Sequence, residues 1–500
     1  MNRIRLLEPE VGPRAVTFRW SVEPASPLYR RSSFTLEFPA SVEIAAVPPA
    51  LWWRLALLCL HPHWALLRPC EVRLPVRLEP GEAETWLRLV DAAVDTLEAT
   101  RRTSDTARAV LLLEGARPAP AWRPVRDAGR WAAAFSGGKD SLLTAGLLAE
   151  LTTRPVLVTT TSPLPPLHDH GTGRRRFVLD EIPRRRPLTL VEVASDFRSA
   201  TDNDFADRMG YPVAVSETTD THLYLGALLA SGLALGATHF VVASENEVQE
   251  NVERDGRTVQ HTHFMYAAST LASLDAVFRP SGATISTLTA ALHAHQVQRL
   301  LVTRYADLCD LQYSCWSVGE RESACSRCSK CLTVALGILE AGGDPGRVGI
   351  DLGRLLAVPH EFRIEDPGPS ALPGQLVARR IREQRLRDFR AIPTRRVAAA
   401  LARGRATGLF SLRGARALLA WRRLRRNNAA APVGAEPGWR PGYLRFADPL
   451  LASRLAVIYG GAFAAESPSA SADALLRSTA LAEWTTAPLS GELDARRNAS

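Results

Sequence analysis

One short segment constrains the fold of this chain more than any other: an apolar run, a glycine-rich loop and a second apolar run follow one another without a break. Residues Trp131 to Phe135 have the pattern of a buried strand, and Lys139 to Leu151 have that of a helix. Between the two runs lies a polar loop. Its residues are Ser136, Gly137, Gly138, Lys139, Asp140 and Ser141. A strand, tight loop and helix in this order predict an α/β fold with a doubly wound parallel sheet.

The loop has the composition of an anion-binding site. Its two glycines let the backbone approach an anion closely, and the start of the following helix adds N–H groups and partial positive charge. Lys139 supplies a point charge, while the hydroxyls of Ser136 and Ser141 are hydrogen-bond donors. Asp140 is predicted either to lie close to a magnesium ion or to order the loop. The spacing is not that of a Walker loop.

Further strand and helix patterns continue the parallel sheet. The predicted strands are Val156 to Thr160, Leu188 to Val193 and Thr238 to Ala243, with a long helix at Asp220 to Leu235. The last strand ends in Ser244-Glu245-Asn246-Glu247, which offers carboxylates on the edge where the loop also lies; an acidic surface loop is the alternative.

His261 and His263 follow, and alternate positions on an extended segment place them on one face. They are candidates for acid and base or for holding a substrate carboxylate, or else are structural.

The cysteines are distributed unevenly. Cys315, Cys325, Cys328 and Cys331 have spacings that suit a tetrahedral zinc site, for which an iron–sulfur cluster is the alternative. Cys309 lies outside this pattern and is interpreted as a small buried hydrophobe. We expect a reducing, cytoplasmic setting, because the N-terminus has no apolar leader pattern and no apolar run reaches about 18 residues.

The chain is long enough for several domains. We expect an α+β accessory domain at residues 1–125, a catalytic domain at 126–365 with the cysteine knuckle at 315–331, a basic helical region at 366–463 and a flexible tail at 464–500. The net charge is +9 and comes from arginine, since Lys139 and Lys330 are the only lysines. The arginine-rich region is interpreted as solvated helices packed on the enzyme. A footprint for nucleic acid or a phosphate-bearing substrate is the alternative.

The six-residue loop in its strand–loop–helix setting resembles the Ser-Gly-Gly-x-Asp-Ser signature of the PP-loop ATP pyrophosphatase superfamily. The resemblance covers residues 130–336 and implies an enzyme that cuts ATP between the α and β phosphates and leaves AMP on its substrate. It also implies that Lys139 and Asp140 act in catalysis, and that Glu245 and Glu247 hold magnesium together with Asp140. ATP, Mg²⁺ and Zn²⁺ are then the expected cofactors, with a carboxylate-bearing substrate and no membrane partner.

Two families within that superfamily are similar to parts of this chain. The cysteine spacing resembles the zinc knuckle of 7-cyano-7-deazaguanine synthases, which form a nitrile from an adenylated carboxylate. The order of the regions is similar to that of the ATP-dependent epimerases that invert the terminal glutamate of UDP-N-acetylmuramoyl-L-alanyl-L-glutamate, a peptidoglycan precursor. This second resemblance implies an isomerase, with His261 or His263 near the proton that moves. An amide- or nitrile-forming ligase, a tRNA-modifying enzyme and a non-catalytic binding module are the alternatives.

Overall fold

A computed structural model gives the architecture of most of the chain. It describes residues 1–101, 110–125, 129–161, 172–202, 205, 214–254, 256–261, 263–313, 324–358, 368, 371–403, 412–428 and 436–465. Within these residues, no helix combines the length and the apolar character that crossing a bilayer requires.

Fifteen strands lie within the described residues. They are β1 (Asn2–Leu6), β2 (Glu10–Val11), β3 (Ala15–Glu23), β4 (Ser33–Glu37), β5 (Cys70–Arg73), β6 (Val76–Arg77), β7 (Val110–Leu113), β8 (Arg117–Pro118), β9 (Arg130–Ala134), β10 (Val156–Thr161), β11 (Thr189–Ser195), β12 (Ala237–Val241), β13 (Asn251–Arg254), β14 (Arg257–Gln260) and β15 (Thr284–Ser286).

The part of the chain that the structure describes also contains fifteen α-helices. They are α1 (Pro49–Trp64), α2 (Glu82–Arg101), α3 (Lys139–Leu151), α4 (Thr172–Arg185), α5 (Phe197–Ala200), α6 (Ala214–Ala234), α7 (Ala268–Phe278), α8 (Ala294–Thr303), α9 (Ala306–Cys309), α10 (Ser329–Glu340), α11 (Leu352–Leu356), α12 (Pro373–Ala391), α13 (Thr394–Arg403), α14 (Leu412–Asn427) and α15 (Pro449–Ala462).

A single 11-stranded sheet runs through the molecule in the order β15-β12-β9-β10-β11-β4-β3-β1-β5-β7, with β2 beside β3. The strands from β15 to β11 all pair in parallel. Because parallel strands are covered by helices on both faces, they are apolar on both sides. In β9, Trp131 and Ala133 face one core while Ala132 faces the other. The α/β class and the mostly parallel sheet predicted from the sequence are therefore confirmed.

The N-terminal region is joined to this sheet and has no core of its own. β4 pairs antiparallel with β11, with Ala194 opposite Glu37 and Ser195 opposite Leu36. Helix α1 packs on α6, and the apolar side chains of both belong to one buried cluster with those of β1, β3 and β10. The N-terminal region thus shares a buried cluster with the parallel strands, and the domain boundary expected near residue 125 stays a prediction.

The arginine-rich helices pack on the opposite face of the sheet. Leu386 and Phe389 of α12, Val397 of α13 and Trp421 of α14 belong to the same buried cluster as α3 and α8. On α14, Gly414, Ala417 and Trp421 are the buried positions, at helical spacing. The interpretation of this region as helices packed on the enzyme agrees with the structure.

Replacing Trp421 tests this packing. Its side chain is fully buried, and its ring centroid lies 4.2 Å from that of Phe389. Because a large cavity would remain, Trp421→Ala is expected to lower the free energy of unfolding by about 3–5 kcal/mol in urea titrations. Leu419, on the same helix, is 62% exposed, so Leu419→Ala is the control and should change it by less than about 0.5 kcal/mol. Equal effects of the two variants would contradict this placement of α14.

Candidate functional site

The parallel strands create a switch point between β9 and β12, within the parallel part of the sheet. From β9 the chain proceeds to β10 and β11 on one side, and it then crosses to β12 and β15 on the other side. The loops that follow β9 and β12 therefore diverge at their carboxyl ends, where open α/β sheets bind their ligands. These two loops contain residues 136–141 and 244–247, so the structure brings together the two polar segments that the sequence singled out.

The loop after β9 is tightly packed and turns at a glycine with a positive φ. Gly137 has a φ of +77°, and a β-carbon there would lie 3.3 Å from Cγ1 of Val178. The backbone N–H of Tyr313 donates to the carbonyl of Gly137 over 2.8 Å. The hydroxyl oxygens of Ser136 and Ser141 lie 3.3 Å apart. Glycine is thus favoured at position 137 by its positive φ, and a β-carbon there would also require Val178 to shift.

The loop opens directly into helix α3. Gly138 is the N-cap residue and has no side chain with which to cap the first turn. The hydroxyl of Ser141 donates to the carbonyl of Gly138 over 3.1 Å, which fixes the loop against the helix. The N–H groups of the first turn and the positive end of the helix therefore point toward the space beyond the sheet.

The ammonium group of Lys139 joins the two loops. Its Nζ lies 2.7 Å from Oδ1 of Asp140, and it also donates to Oε2 of Glu245 after β12. Burial disfavours the charged lysine, but the two carboxylates outweigh burial and raise its pKa. Burial and the neighbouring Asp140 raise the pKa of Glu245 well above its ordinary value. Two carboxylates consequently share one cation at the switch point.

A cavity of about 480 Å³ lies against both loops, and we call it the switch-point cavity. Ser136, Gly138, Asp140, Ser141, Ser244 and Glu245 line one side of it. Thr159, Arg175, Tyr224 and Lys330 contribute other parts of the wall. Arg175 is held there because its Nη2 donates to Oγ1 of Thr159 over 3.0 Å. Cations, hydroxyls and carboxylates thus converge on a space of ligand size.

Lys330 also lines the wall of this cavity, and sequence analysis assigned it no role. It belongs to the cysteine segment, far from Lys139 in the chain, yet it lines the cavity that the loop after β9 also lines. Burial and the charge of Lys139 lower the pKa of Lys330. The scarcity of lysine was the available signal, because the structure places both lysines of the chain around one site.

The carboxylate of Glu247 has other partners than that of Glu245. Its Oε1 accepts from Nδ1 of His293 over 3.1 Å, and its Oε2 accepts from the backbone N–H of Ala294 over 3.0 Å. Although burial opposes its charge, His293 helps to lower the pKa of Glu247 to about 2. Both oxygens are therefore engaged at the start of α8, and Glu247 does not line the switch-point cavity.

Of the two predicted histidines, His263 lines the switch-point cavity and His261 does not. The two rings stack with centroids 5.0 Å apart, and the backbone N–H of His263 donates to Nδ1 of His261. The segment is not an extended strand as expected, because His263 begins a short 3₁₀ turn. Burial lowers the pKa of His261 to about 4, so this ring is neutral at pH 7.

The cysteine segment forms a compact thiol cluster beside the cavity. The Sγ atoms of Cys325, Cys328 and Cys331 lie within 4.8 Å of one another. The backbone N–H of Cys331 donates to Sγ of Cys328, as in a knuckle that wraps a metal ion. Sulfur donors at this separation fit zinc. Cys315, the predicted fourth ligand, lies outside the described residues, and Cys309 is buried elsewhere.

Elemental analysis tests the metal site. The wild-type protein is expected to contain about one zinc per chain, since one four-ligand site is predicted. Cys331→Ser should lose it because it removes a thiolate ligand, whereas Cys309→Ser, the control, should retain it. Iron with inorganic sulfide, or unchanged zinc in Cys331→Ser, would rule out this assignment.

Comparisons with known proteins yield no relative of this chain. No family model matches it, and neither a curated protein nor a solved structure does so. The resemblance to PP-loop enzymes therefore rests on the sequence motif alone. The function of the site has to be argued from its own geometry and chemistry.

Proposed function

We propose that this chain is an enzyme that adenylates a carboxylate of its substrate with ATP and Mg²⁺ and releases pyrophosphate. One observation carries the proposal: the Ser136–Ser141 loop lies at the switch point of the parallel strands and lines a cavity of about 480 Å³. Small-molecule pockets commonly have volumes of about 300–1,000 Å³, and in folds of this kind they lie at this point of the sheet.

The phosphates of ATP would lie against the first turn of α3. Gly138 leaves the N–H groups of that turn accessible, and the hydroxyl of Ser136 adds a donor, while the hydroxyl of Ser141 holds the loop by donating to the carbonyl of Gly138. Three cations surround the same space, namely Lys139, Lys330 and Arg175. Positive groups that contact both the α and β phosphates stabilise the charge that develops as the bond between them breaks.

Asp140 and Glu245 are the residues that fit a magnesium ion. Both line the cavity, and both contact the same ammonium group, so a divalent cation can take the place of that cation between them. Magnesium would neutralise phosphate charge and orient the polyphosphate. Lys139 would then turn from the carboxylates to the phosphates. Glu247, predicted as a third ligand, remains bonded to His293 and Ala294 in this arrangement.

The reaction joins the substrate carboxylate to AMP. A carboxylate oxygen attacks the α phosphorus, the bond from that phosphorus to the bridging oxygen breaks, and pyrophosphate leaves. Lys139 and Lys330 would stabilise the charge on the leaving group, because Lys139 belongs to the loop after β9 and Lys330 lies beside that loop. The product is an acyl adenylate, in which the acyl group no longer carries a negative charge.

The proposed fate of the adenylate is epimerisation at the adjacent carbon of a terminal amino acid. Loss of the carboxylate charge makes the α-proton easier to remove, and a base on the cavity wall can take it. His263 is the described histidine on that wall, and its position is fixed by the stacked ring of His261. Reprotonation from the opposite face and hydrolysis by water would return the inverted acid together with AMP.

Replacing Lys139 tests the adenylation step. Lys139→Ala should reduce pyrophosphate release by about a hundredfold or more, because it removes the cation that connects both loops with the phosphates. Arg304→Ala removes a cation that is paired with Glu150 at the surface, and it serves as the control with unchanged turnover. The assay separates AMP and pyrophosphate from ADP. Wild-type activity in Lys139→Ala, or ADP as the product, would contradict the proposal.

Deuterium incorporation tests the epimerisation. UDP-N-acetylmuramoyl-L-alanyl-L-glutamate incubated with enzyme, ATP and Mg²⁺ in deuterated water should gain deuterium at the glutamate α-carbon and yield D-glutamate after acid hydrolysis. Both changes should require ATP. His263→Gln should slow deuterium entry while ATP–pyrophosphate exchange persists, because adenylation does not need the base. Consumption of ATP without exchange of the α-proton would favour a ligase instead.

A further inference from the structure

Helix α14 has two opposite faces, and one of them lies in the core. Its buried positions are Gly414, Ala417 and Trp421. Because successive residues of an α-helix are rotated by about 100°, these three positions lie within about 60° of one another. The ring of Trp421 packs on that of Phe389 in α12. This packing fixes the orientation of α14, so the opposite face is directed away from the core.

The opposite face of α14 carries leucine and arginine side chains in one line. Leu412 is 81% exposed and Leu419 is 62% exposed. Arg416, Arg423 and Arg426 are exposed as well. At about 100° per residue these five positions form a stripe about 80° wide and about 21 Å long, opposite Trp421. We call these five residues the α14 stripe.

The charge of the α14 stripe has no acidic partner within the part of the chain that the structure describes. α14 contains six arginines and no acidic residue. Two of the six lie outside the stripe and have partners. Arg413 lies 4.0 Å from Asp351, and Arg425 donates to backbone carbonyls. In contrast, no described carboxylate pairs with the three arginines of the stripe.

We infer that the α14 stripe binds the surface of a membrane that contains anionic lipids, with α14 lying parallel to that surface. The inference goes beyond the proposed function and is independent of it, because no residue of α14 lines the switch-point cavity. It also differs from the expectation drawn from the sequence, which included no membrane partner. The charge of the stripe and the position of its leucines carry the inference.

The charge of the stripe complements a layer of anionic headgroups. Clusters of about four to eight basic residues on a helix are typical of proteins that bind anionic lipids. Each arginine near such a surface is attracted by many headgroups at once, so no single pocket is needed. Because α14 is already folded and packed on the enzyme, little ordering opposes this contact.

The leucines of the stripe favour lipid over nucleic acid. Leu419 lies between Arg416 and Arg423 along the helix, so any surface that contacts these two arginines also covers this leucine. At a membrane, the leucine side chain reaches the boundary between headgroups and acyl chains and loses contact with water. The phosphates and sugars of a nucleic acid backbone offer a leucine no such apolar environment.

Sedimentation of the full-length protein with vesicles tests the inference. Vesicles with about 30% phosphatidylglycerol in phosphatidylcholine should bind the wild type at least about tenfold more tightly than pure phosphatidylcholine vesicles do. The double variant Arg416→Gln/Arg423→Gln should weaken this binding by about tenfold or more, because it removes two charges. Leu412→Ser/Leu419→Ser should weaken it by about threefold or more, because less apolar surface is buried.

The matched control is Arg3→Gln/Arg5→Gln. It removes the same charge from exposed positions of β1, outside the stripe, and should bind vesicles as the wild type does. All three double variants change exposed side chains, so each should keep the melting temperature and the pyrophosphate release of the wild type. A loss of vesicle binding in the stripe variants then reports on the contact and not on folding.

Several results would overturn the inference. These are the absence of binding to the anionic vesicles, equal affinities in the two arginine double variants, and unchanged affinity in the leucine double variant. Fluorescence anisotropy with a single-stranded RNA of about 20 nucleotides is the parallel measurement. RNA binding that requires Arg416 and Arg423 in a protein that does not bind vesicles would show that the partner is a nucleic acid and that the membrane assignment is wrong.

Discussion

The ammonium group of Lys139 is the contact on which the geometry of the site depends. It is bonded to Asp140 in its own loop and to Glu245 in the loop after β12, so it ties together two segments that leave neighbouring strands. Without this cation, two carboxylates would face each other in a partly buried space, and their repulsion would push the loops apart or force protonation. Burial, together with the charge of Asp140, already raises the pKa of Glu245 well above its ordinary value. A polyphosphate with a divalent cation would relieve this repulsion by giving each group a new partner.

The continuous sheet gives these loops a rigid support. Pairing of β4 with β11 joins the N-terminal strands to the parallel ones, and α1 packs on α6. Leu55 of α1 closely approaches Gly226 of α6, next to Tyr224 and Leu225, which line the switch-point cavity. The N-terminal region therefore supports α6, which forms part of the cavity wall, although it contributes no residue of the two loops.

Local sequence patterns predicted helices and strands, whereas the arrangement of the site depends on contacts between segments that are distant in the chain. The predicted bounds Lys139–Leu151 agree with α3, because apolar periodicity and flanking polar residues determine where a helix begins and ends. The sequence did not show that Glu247 turns toward His293, or that Lys330 reaches the loop after β9. Both depend on how loops of different strands and helices meet, and no local periodicity encodes that. Of the predicted pair, only His263 reaches the cavity, because a turn replaces the expected extended segment.

Two arginines of helix α12 lie at a cavity that Lys139 also lines. Leu386 and Phe389 bury one side of α12 in the core, and helical geometry then places Arg380 and Arg387 on the wall beside Lys139. A helix that bound nucleic acid would present its arginines to solvent along an open face. In α12, Gln384 and Glu250 instead hold Arg387 and Arg380 at the cavity. The side chains of Arg380 and Arg387 are thus directed toward the cavity that Lys139 also lines, and not along an open face.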